Sequence, residues 1–203
     1  MKTLLLTGFE PFLEYCVNPT MKIALQLDGE QFGEYRIISR ILPVDFNQSG
    51  AMLLELIEDI GPDAVVSLGL AAGRYKITPE RVALNVKDGD ADNEGYRPVD
   101  EPIRVEGPAA YLSTLPVRMM TERLLKEGLP AEVSNTAGLY LCNNIMYEGI
   151  HYAATKNSAM LAGFIHIPAS HELAIEHGRL PSWSHEDLLS GIRICLETLS
   201  SIK

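Results

Sequence analysis

The sequence predicts a three-layer α/β/α fold around a mostly parallel, twisted central sheet. Short β-type runs alternate with segments of helical spacing along the chain. Ala64 to Leu70 reads as one continuous apolar run, the pattern of a strand covered on both faces. No repeat and no linker breaks the alternation. Residues 1–203 are therefore expected to form a single domain, large enough to bury a core without disulfide or metal support.

Each element has a local reason. Lys2 to Thr7 is an apolar strand that ends at Gly8. Asn18 then stands as a helix N-cap with Pro19 at the first helical position. Arg36 to Leu42 is β-branched enough for a strand and stops before Pro43. Asp45 is placed to cap a helix whose Met52, Leu53, Leu56, Ile57 and Ile60 keep helical spacing, with Gly61-Pro62 as its stop. After Ala64–Leu70, Glu80 to Lys87 is expected to be another strand. Asp88 to Pro102 is a polar excursion rich in Gly, Asp and Pro. A helix over Val117–Glu127, a strand over Ala131–Asn135 and a helix over Leu141–Thr155 follow. Leu161 to Ile167 is the last long strand, closed by Pro168. Ser184, with Asp187 three residues on, opens a terminal helix.

Composition narrows the function classes. The chain is 46% apolar and 22% charged, with a net charge of −10 and scattered basic residues. A nucleic-acid or anionic-membrane surface needs a clustered basic stripe, so neither partner is expected. No stretch approaches the about 20 apolar residues of a membrane span, and the opening run is too short for a signal peptide. Cys16, Cys142 and Cys195 are odd in number and widely spaced, which suits free thiols in a reducing, cytoplasmic location. The Asn47-Gln48-Ser49 sequon is then not expected to be glycosylated.

Several fragments imitate known sites and fail on spacing. In "HELAIEH", His171 and His177 are six residues apart, whereas a zinc helix needs histidines at i and i+4; both are read as exposed. "DGDADNEG" places Asp88, Asp90 and Asp92 at calcium-loop spacing, but Asn93 and Val99 stand where Gly and Glu are required. That segment reads as a solvated acidic loop. "GLAAGRY" has neither a dinucleotide GxGxxG nor a Walker lysine, and there is no GxSxG elbow. Neither a cofactor nor a metal is expected.

Three residues have the chemistry for acyl transfer. Cys142 follows a small-residue turn, Thr136-Ala137-Gly138, at the start of a helix. The positive helix end and its unpaired N–H groups would stabilise a thiolate and hold an oxyanion. Its spacing from Ile145 and Met146 equally suits an inert packing cysteine. His166 lies at the C-terminal end of an apolar strand, the edge where open α/β sheets place their sites. There it suits either a core histidine or a general base for a thiol. Glu80 follows Pro79 where a loop re-enters a strand, placed to orient an imidazole or to make a surface ion pair. Phe9 and Phe12 in "GFEPF" are either a lid on the core or the walls of a pocket for a flat ring.

"TGFEPF", "NPT", "GLA…ITPERVALNV", "DNEGYRPVDE", "STLPVR", "AGLYLCNNIMY" and "GFIHIP" together resemble, in that order, the pyroglutamyl peptidase I (pyrrolidone carboxyl peptidase) family of cysteine peptidases. The likeness runs from Thr7 to about Pro168; the last thirty or so residues carry no signature. It implies Cys142 as nucleophile, His166 as base and Glu80 as the acid that orients it. It also implies Phe9 and Phe12 flanking the lactam ring of the substrate, with Asn18 nearby. The implied reaction is removal of N-terminal pyroglutamate (5-oxoproline) from peptides through an acyl-enzyme, without metal or cofactor. An α/β/α fold, a cytoplasmic location and a homotetramer are implied too. A lactam-binding protein with weak or lost turnover is the alternative, because two segments depart from the family pattern. Leu13-Glu14 stand where Gly-Gly is common, and the Asp88–Gly95 loop is one residue shorter and lacks the family's arginine. A redox-sensing thiol protein fits less well, since no resolving cysteine lies near Cys142 in sequence.

Overall fold

Alternation along the strands decides what each face of the sheet buries. The computed structural model describes residues 1–12 and 14–201. Its first half contains β1 (Lys2–Phe9), α1 (Pro19–Leu27), β2 (Gln31–Phe32), β3 (Tyr35–Leu42), α2 (Ser49–Ile60), β4 (Ala64–Leu70), β5 (Thr78–Pro79) and β6 (Val82–Leu84). The second half contains β7 (Ala110–Leu112), α3 (Val117–Lys126), α4 (Leu141–Lys156), β8 (Leu161–Ile167), β9 (Ala169–Ser170), α5 (His171–His177), β10 (Ser182–Trp183) and α6 (His185–Leu199).

Six strands form the main sheet in the order β2-β3-β1-β4-β8-β5. The β3–β1, β1–β4 and β4–β8 pairs are parallel; the short edge strands β2 and β5 are antiparallel. Leu4, Leu6, Val66, Leu68, Ile165 and Ile167 point to one face, where α1, α3 and α6 cover them. Leu5, Val65, Ala162 and Phe164 point to the other, under α2 and α4. The three layers are thus a direct consequence of period-two strands buried on both sides.

The helix ends follow their sequence signals. Asn18 Oδ1 accepts the Thr20 N–H at 3.1 Å, with Pro19 opening α1. Ser184 Oγ accepts the Asp187 N–H at 3.1 Å and caps α6. Gly61, at φ 59°, ends α2 in the left-handed conformation that glycine adopts without penalty. Asp45 caps earlier than expected. Its Oδ1 accepts from the Asn47 and Gln48 N–H groups, forming a turn that precedes the first residue of α2. Helix α4 buries ten of its sixteen residues and so lies deep against the sheet.

Two expected strands are not regular. Of the expected Glu80–Lys87 strand only β6, Val82–Leu84, is regular, and β5 ends just before Glu80, because the chain changes partner there. Thr78–Pro79 pairs with β8, and Val82–Leu84 pairs with β7. Ala131–Asn135 makes only single bridges, Ile77 to Ala131 and Glu80 to Ser134. Among the described residues, no helix is long and apolar enough to cross a membrane.

Candidate active site

The strand connections reverse direction between β1 and β4, since β1 leads outward to β3 and the chain then returns to β4. Open α/β sheets form their ligand crevice at such a point, beyond the carboxyl ends of the strands. Phe9 at the end of β1, Gly69 and Leu70 at the end of β4, and His166 near the end of β8 all lie there. Two residues before Phe9 and Gly69, Thr7 Oγ1 donates to Ser67 Oγ at 2.8 Å, a satisfied buried polar pair.

Cys142 reaches this edge from the opposite direction, as the second residue of α4. Asn143 pins that turn. Its Nδ2 donates to the carbonyls of Leu84 and Val86, and its Oδ1 accepts the Leu84 N–H, all at 2.9 Å. The first backbone bond along this helix runs from the Asn144 N–H to the Tyr140 carbonyl. The N–H groups of Leu141, Cys142 and Asn143 therefore point out of the helix start. Gly69 sits directly under the thiol. A Cβ there would fall 2.9 Å from Cys142 Sγ and 2.5 Å from Phe164 Cε1, so only glycine permits the approach. Gly69 is the register partner of His166.

His166 is buried, with Phe164 packed against its ring at 4.9 Å. Its Nδ1 lies 2.7 Å from Glu80 Oε1. Glu80 is fully buried and held by backbone as well, through its N–H to the Phe164 carbonyl at 2.9 Å. Arg74, which no motif or spacing singles out, completes the group. Its Nη1 donates to Glu80 Oε1 and Thr78 Oγ1, each at 2.6 Å, and its Nη2 to the Thr136 carbonyl at 2.8 Å.

Burial dominates the titration of the pair. It pushes the Cys142 thiol up to about 12, with the Glu80 charge adding and Arg74 and backbone hydrogen bonding opposing. Cys142 retains some surface at the crevice, but protein encloses the sulfur closely enough for desolvation to win. The expected helix-end stabilisation of a thiolate is thus outweighed. Burial also lowers the His166 pKa, with Glu80 opposing and Arg74 assisting. Both shifts favour a neutral thiol and a neutral imidazole.

Phe9, Phe12, Asn18, Val44, Leu70, Tyr140, Leu141 and Cys142 line one apolar recess, about 260 Å³ counting its open mouth. Phe9 is buried in the core under α2 and α4, while Phe12 is half-buried and stands 6.4 Å from the Tyr140 ring. The lid and wall readings therefore divide between the two rings. Asn18 is largely committed to structure. Oδ1 accepts from the Thr20 N–H and Oγ1, and Nδ2 donates to the Glu10 carbonyl at 3.0 Å.

The Asp88–Gly95 segment is solvated as expected at Asp90, Asn93, Glu94 and Gly95, and departs from that character at Asp92. Asp92 is buried and accepts N–H bonds from Phe46, Glu94 and Tyr96. Asn93 Nδ2 donates to Glu10 Oε1 and to the Pro11 carbonyl, tying this loop to the Phe9–Phe12 segment. Neither contact has a local sequence signal beyond an Asp-Asn pair. His171 is exposed as expected. His177 is only partly exposed, because its ring packs edge-on against Tyr15 at 4.9 Å. Among the described residues, no group of three or more His, Cys, Asp or Glu is placed to hold a metal ion. Leu13 lies outside the described residues.

Comparison with known proteins agrees across the chain. The pyroglutamyl peptidase family matches residues 1–202. A pyrrolidone-carboxylate peptidase of Lysinibacillus sphaericus is 59% identical over 197 residues, covering 97% of this chain and 96% of the relative. One from Halalkalibacterium halodurans is 53% identical over 197 residues, covering 97% and 98%. Among solved structures, a mutant pyrrolidone carboxyl peptidase of Pyrococcus furiosus superposes with a TM-score of 0.95 at 41% identity, covering 99% of this chain and all of that one. The Thermococcus litoralis pyrrolidone carboxyl peptidase gives 0.93 at 38% identity, covering 97% and 92%. A crevice at the sheet switch point and agreement in sequence and fold over nearly the whole length lead to one conclusion: this chain belongs to the pyroglutamyl peptidase family.

Proposed function

We propose that the protein removes N-terminal pyroglutamate from peptides, with Cys142, His166 and Glu80 as its catalytic set. One observation carries the assignment of roles. The Cys142 sulfur overlies Gly69, whose register partner His166 is bonded through Nδ1 to the buried Glu80, at the wall of an apolar recess.

The chemistry follows from the protonation states. With its Nδ1–H given to Glu80, His166 keeps a lone pair on Nε2. Nε2 takes the thiol proton as Sγ attacks the pyroglutamyl carbonyl carbon, forming the C–S bond. The oxyanion falls to the outward N–H groups at the start of α4, which cost no reorganisation. Nε2 then passes its proton to the departing amine as the C–N bond breaks. Water gives a proton to Nε2 as its oxygen attacks the thioester carbonyl; the C–S bond then breaks, pyroglutamic acid leaves, and Nε2 returns the proton to sulfur. Glu80 stabilises the transient imidazolium and fixes the ring, as the acid does in other triads. Each proton in the scheme moves among Cys142, His166, the amine and water.

The recess suits the substrate class. Pyroglutamate is a small, neutral, nearly flat lactam, so apolar contact and shape select it rather than charge. Phe9 and Phe12 supply those contacts in this reading, and Asn18 contributes chiefly by holding the loop that carries them. The same reading includes a cytoplasmic location, supported by the free Cys16, Cys142 and Cys195, and a homotetramer, supported by family resemblance.

The test compares release of aminocoumarin from pyroglutamyl- and prolyl-aminocoumarin under reducing conditions. Release from the first and none from the second is expected, because proline lacks the lactam carbonyl. Absence of release, with 2-pyrrolidone still protecting Cys142 from iodoacetamide, would replace the enzyme reading by that of a lactam-binding protein.

A further inference from the structure

We infer that Arg74 is a positioning residue: it keeps Glu80 ionised and so fixes which nitrogen of His166 carries the proton. This rests on the acyl-transfer reading above.

Glu80 is fully buried, and a buried carboxylate stays charged only beside compensating charge or donors. Its Oε1 receives both His166 Nδ1 and Arg74 Nη1, while Oε2 has no partner among the described residues. Burial favours the neutral form of His166. Among the described residues, the one full positive charge touching Glu80 is therefore Arg74, at 2.6 Å.

The tautomer depends on that charge. An ionised Glu80 accepts from Nδ1–H, leaving Nε2 as the base. A neutral Glu80 would donate its own O–H to Nδ1, and the imidazole proton would move to Nε2. In that state Nε2 has no lone pair for the Cys142 proton. Arg74 thus acts two residues away from the sulfur, through Glu80 and then His166.

Arg74 also reaches the other half of the site. Its Nη2 donates to the Thr136 carbonyl, which accepts Ser134 Oγ as well at 3.0 Å. Thr136 begins the turn that leads to Cys142. One guanidinium fork thereby spans the acid segment and the approach to the nucleophile, a geometry that a point-charge ammonium reproduces only in part.

The experiment uses Arg74→Gln, which keeps hydrogen-bond donors and loses the charge, beside Arg74→Lys, which keeps the charge. On pyroglutamyl-aminocoumarin, Arg74→Gln is expected to lower kcat by about 10²-fold or more with KM within about threefold. Arg74→Lys should recover part of that loss. Nitrogen-15 NMR of the full chain should show the His166 proton on Nδ1 in wild type and on Nε2 in Arg74→Gln. Adding Arg74→Gln to Glu80→Gln should cost little more, since the two act in series. A folded Arg74→Gln protein with the wild-type tautomer and kcat would overturn the proposal, as would a loss confined to KM or thermal stability. If wild type fails to hydrolyse the substrate, the peptidase reading falls, while the tautomer comparison still decides the role of Arg74.

Discussion

Glu80 and His166, 86 residues apart in the chain, meet through a 2.7 Å contact between Oε1 and Nδ1. Neither side chain is solvated, so the contact sets the orientation of the imidazole without competition from water. Glu80→Gln keeps the shape but removes the charge that stabilises imidazolium. Its kcat is expected to fall by about 10²- to 10⁴-fold with KM nearly unchanged. Steady-state kinetics on pyroglutamyl-aminocoumarin provides the check, and a change mainly in KM would remove Glu80 from the proton chemistry.

The acid limb of kcat/KM reports the free His166. Burial lowers its pKa, so the imidazole stays neutral to a lower pH than an exposed histidine with its ordinary value of 6.5. The limb is expected to have its midpoint below 6.5. A midpoint above 6.5 would mean that the Glu80 contact, and not burial, sets the basicity of His166.

The same groups shape stability against pH. His166 has a depressed pKa in the folded state, so its contribution is complete above about pH 6.5 and is lost as the pH falls below it. Cys142 and Cys195 are pushed up to about 12 by burial, so theirs is complete below pH 9 and is lost as the pH rises beyond it. Thermal melts should show their highest Tm between those limits. In Cys195→Ala, lying away from the site in the α1–α3–α6 layer, the alkaline decline should be shallower than in wild type.

Phe9 and Phe12 should separate folding from binding. Phe9 is buried in the core, and Phe9→Ala is expected to cost about 3–5 kcal/mol of stability in denaturant titration. Phe12 is half-buried at the recess, so Phe12→Ala should raise KM up to about tenfold with a smaller stability loss. An unfolded Phe12→Ala protein would make that ring a lid on the core instead of a wall of the site.

Gly69→Ala tests the close approach beneath the thiol. The added methyl meets Phe164 at 2.5 Å and the Cys142 sulfur at 2.9 Å, so one of them must move. A loss of about 1–3 kcal/mol in stability is expected, together with a fall in kcat, because overpacking at this point displaces the nucleophile. Unchanged kinetics would show that the sulfur position has latitude.

The parts of the fold governed by neighbours in sequence were legible. The Asn18–Pro19 start, the Gly61 stop and the Ser184–Asp187 cap each depend on residues within four positions, and each stands where the local chemistry placed it. Glu80 shows the opposite case. Its strand breaks because Thr78–Pro79 and Val82–Leu84 find different distant partners, and no local periodicity encodes that choice. Asp92 read as solvated for the same reason, since the Phe46 N–H that helps to bury it comes from 46 residues away. Cys142, His166 and Glu80 were nominated by residue chemistry and then by family resemblance. Arg74 was not, because an arginine in a glycine-containing loop carries no periodic or motif signal; only its bonds to Glu80 and Thr136 distinguish it.

The most direct measurement is release of aminocoumarin from pyroglutamyl-aminocoumarin by wild type and by Cys142→Ala, with folding of both verified by circular dichroism. Wild type should turn over under reducing conditions, and the variant should lose about 10³-fold or more of kcat while retaining its fold. Comparable turnover by folded Cys142→Ala would contradict Cys142 as the nucleophile and the acyl-transfer mechanism built on it.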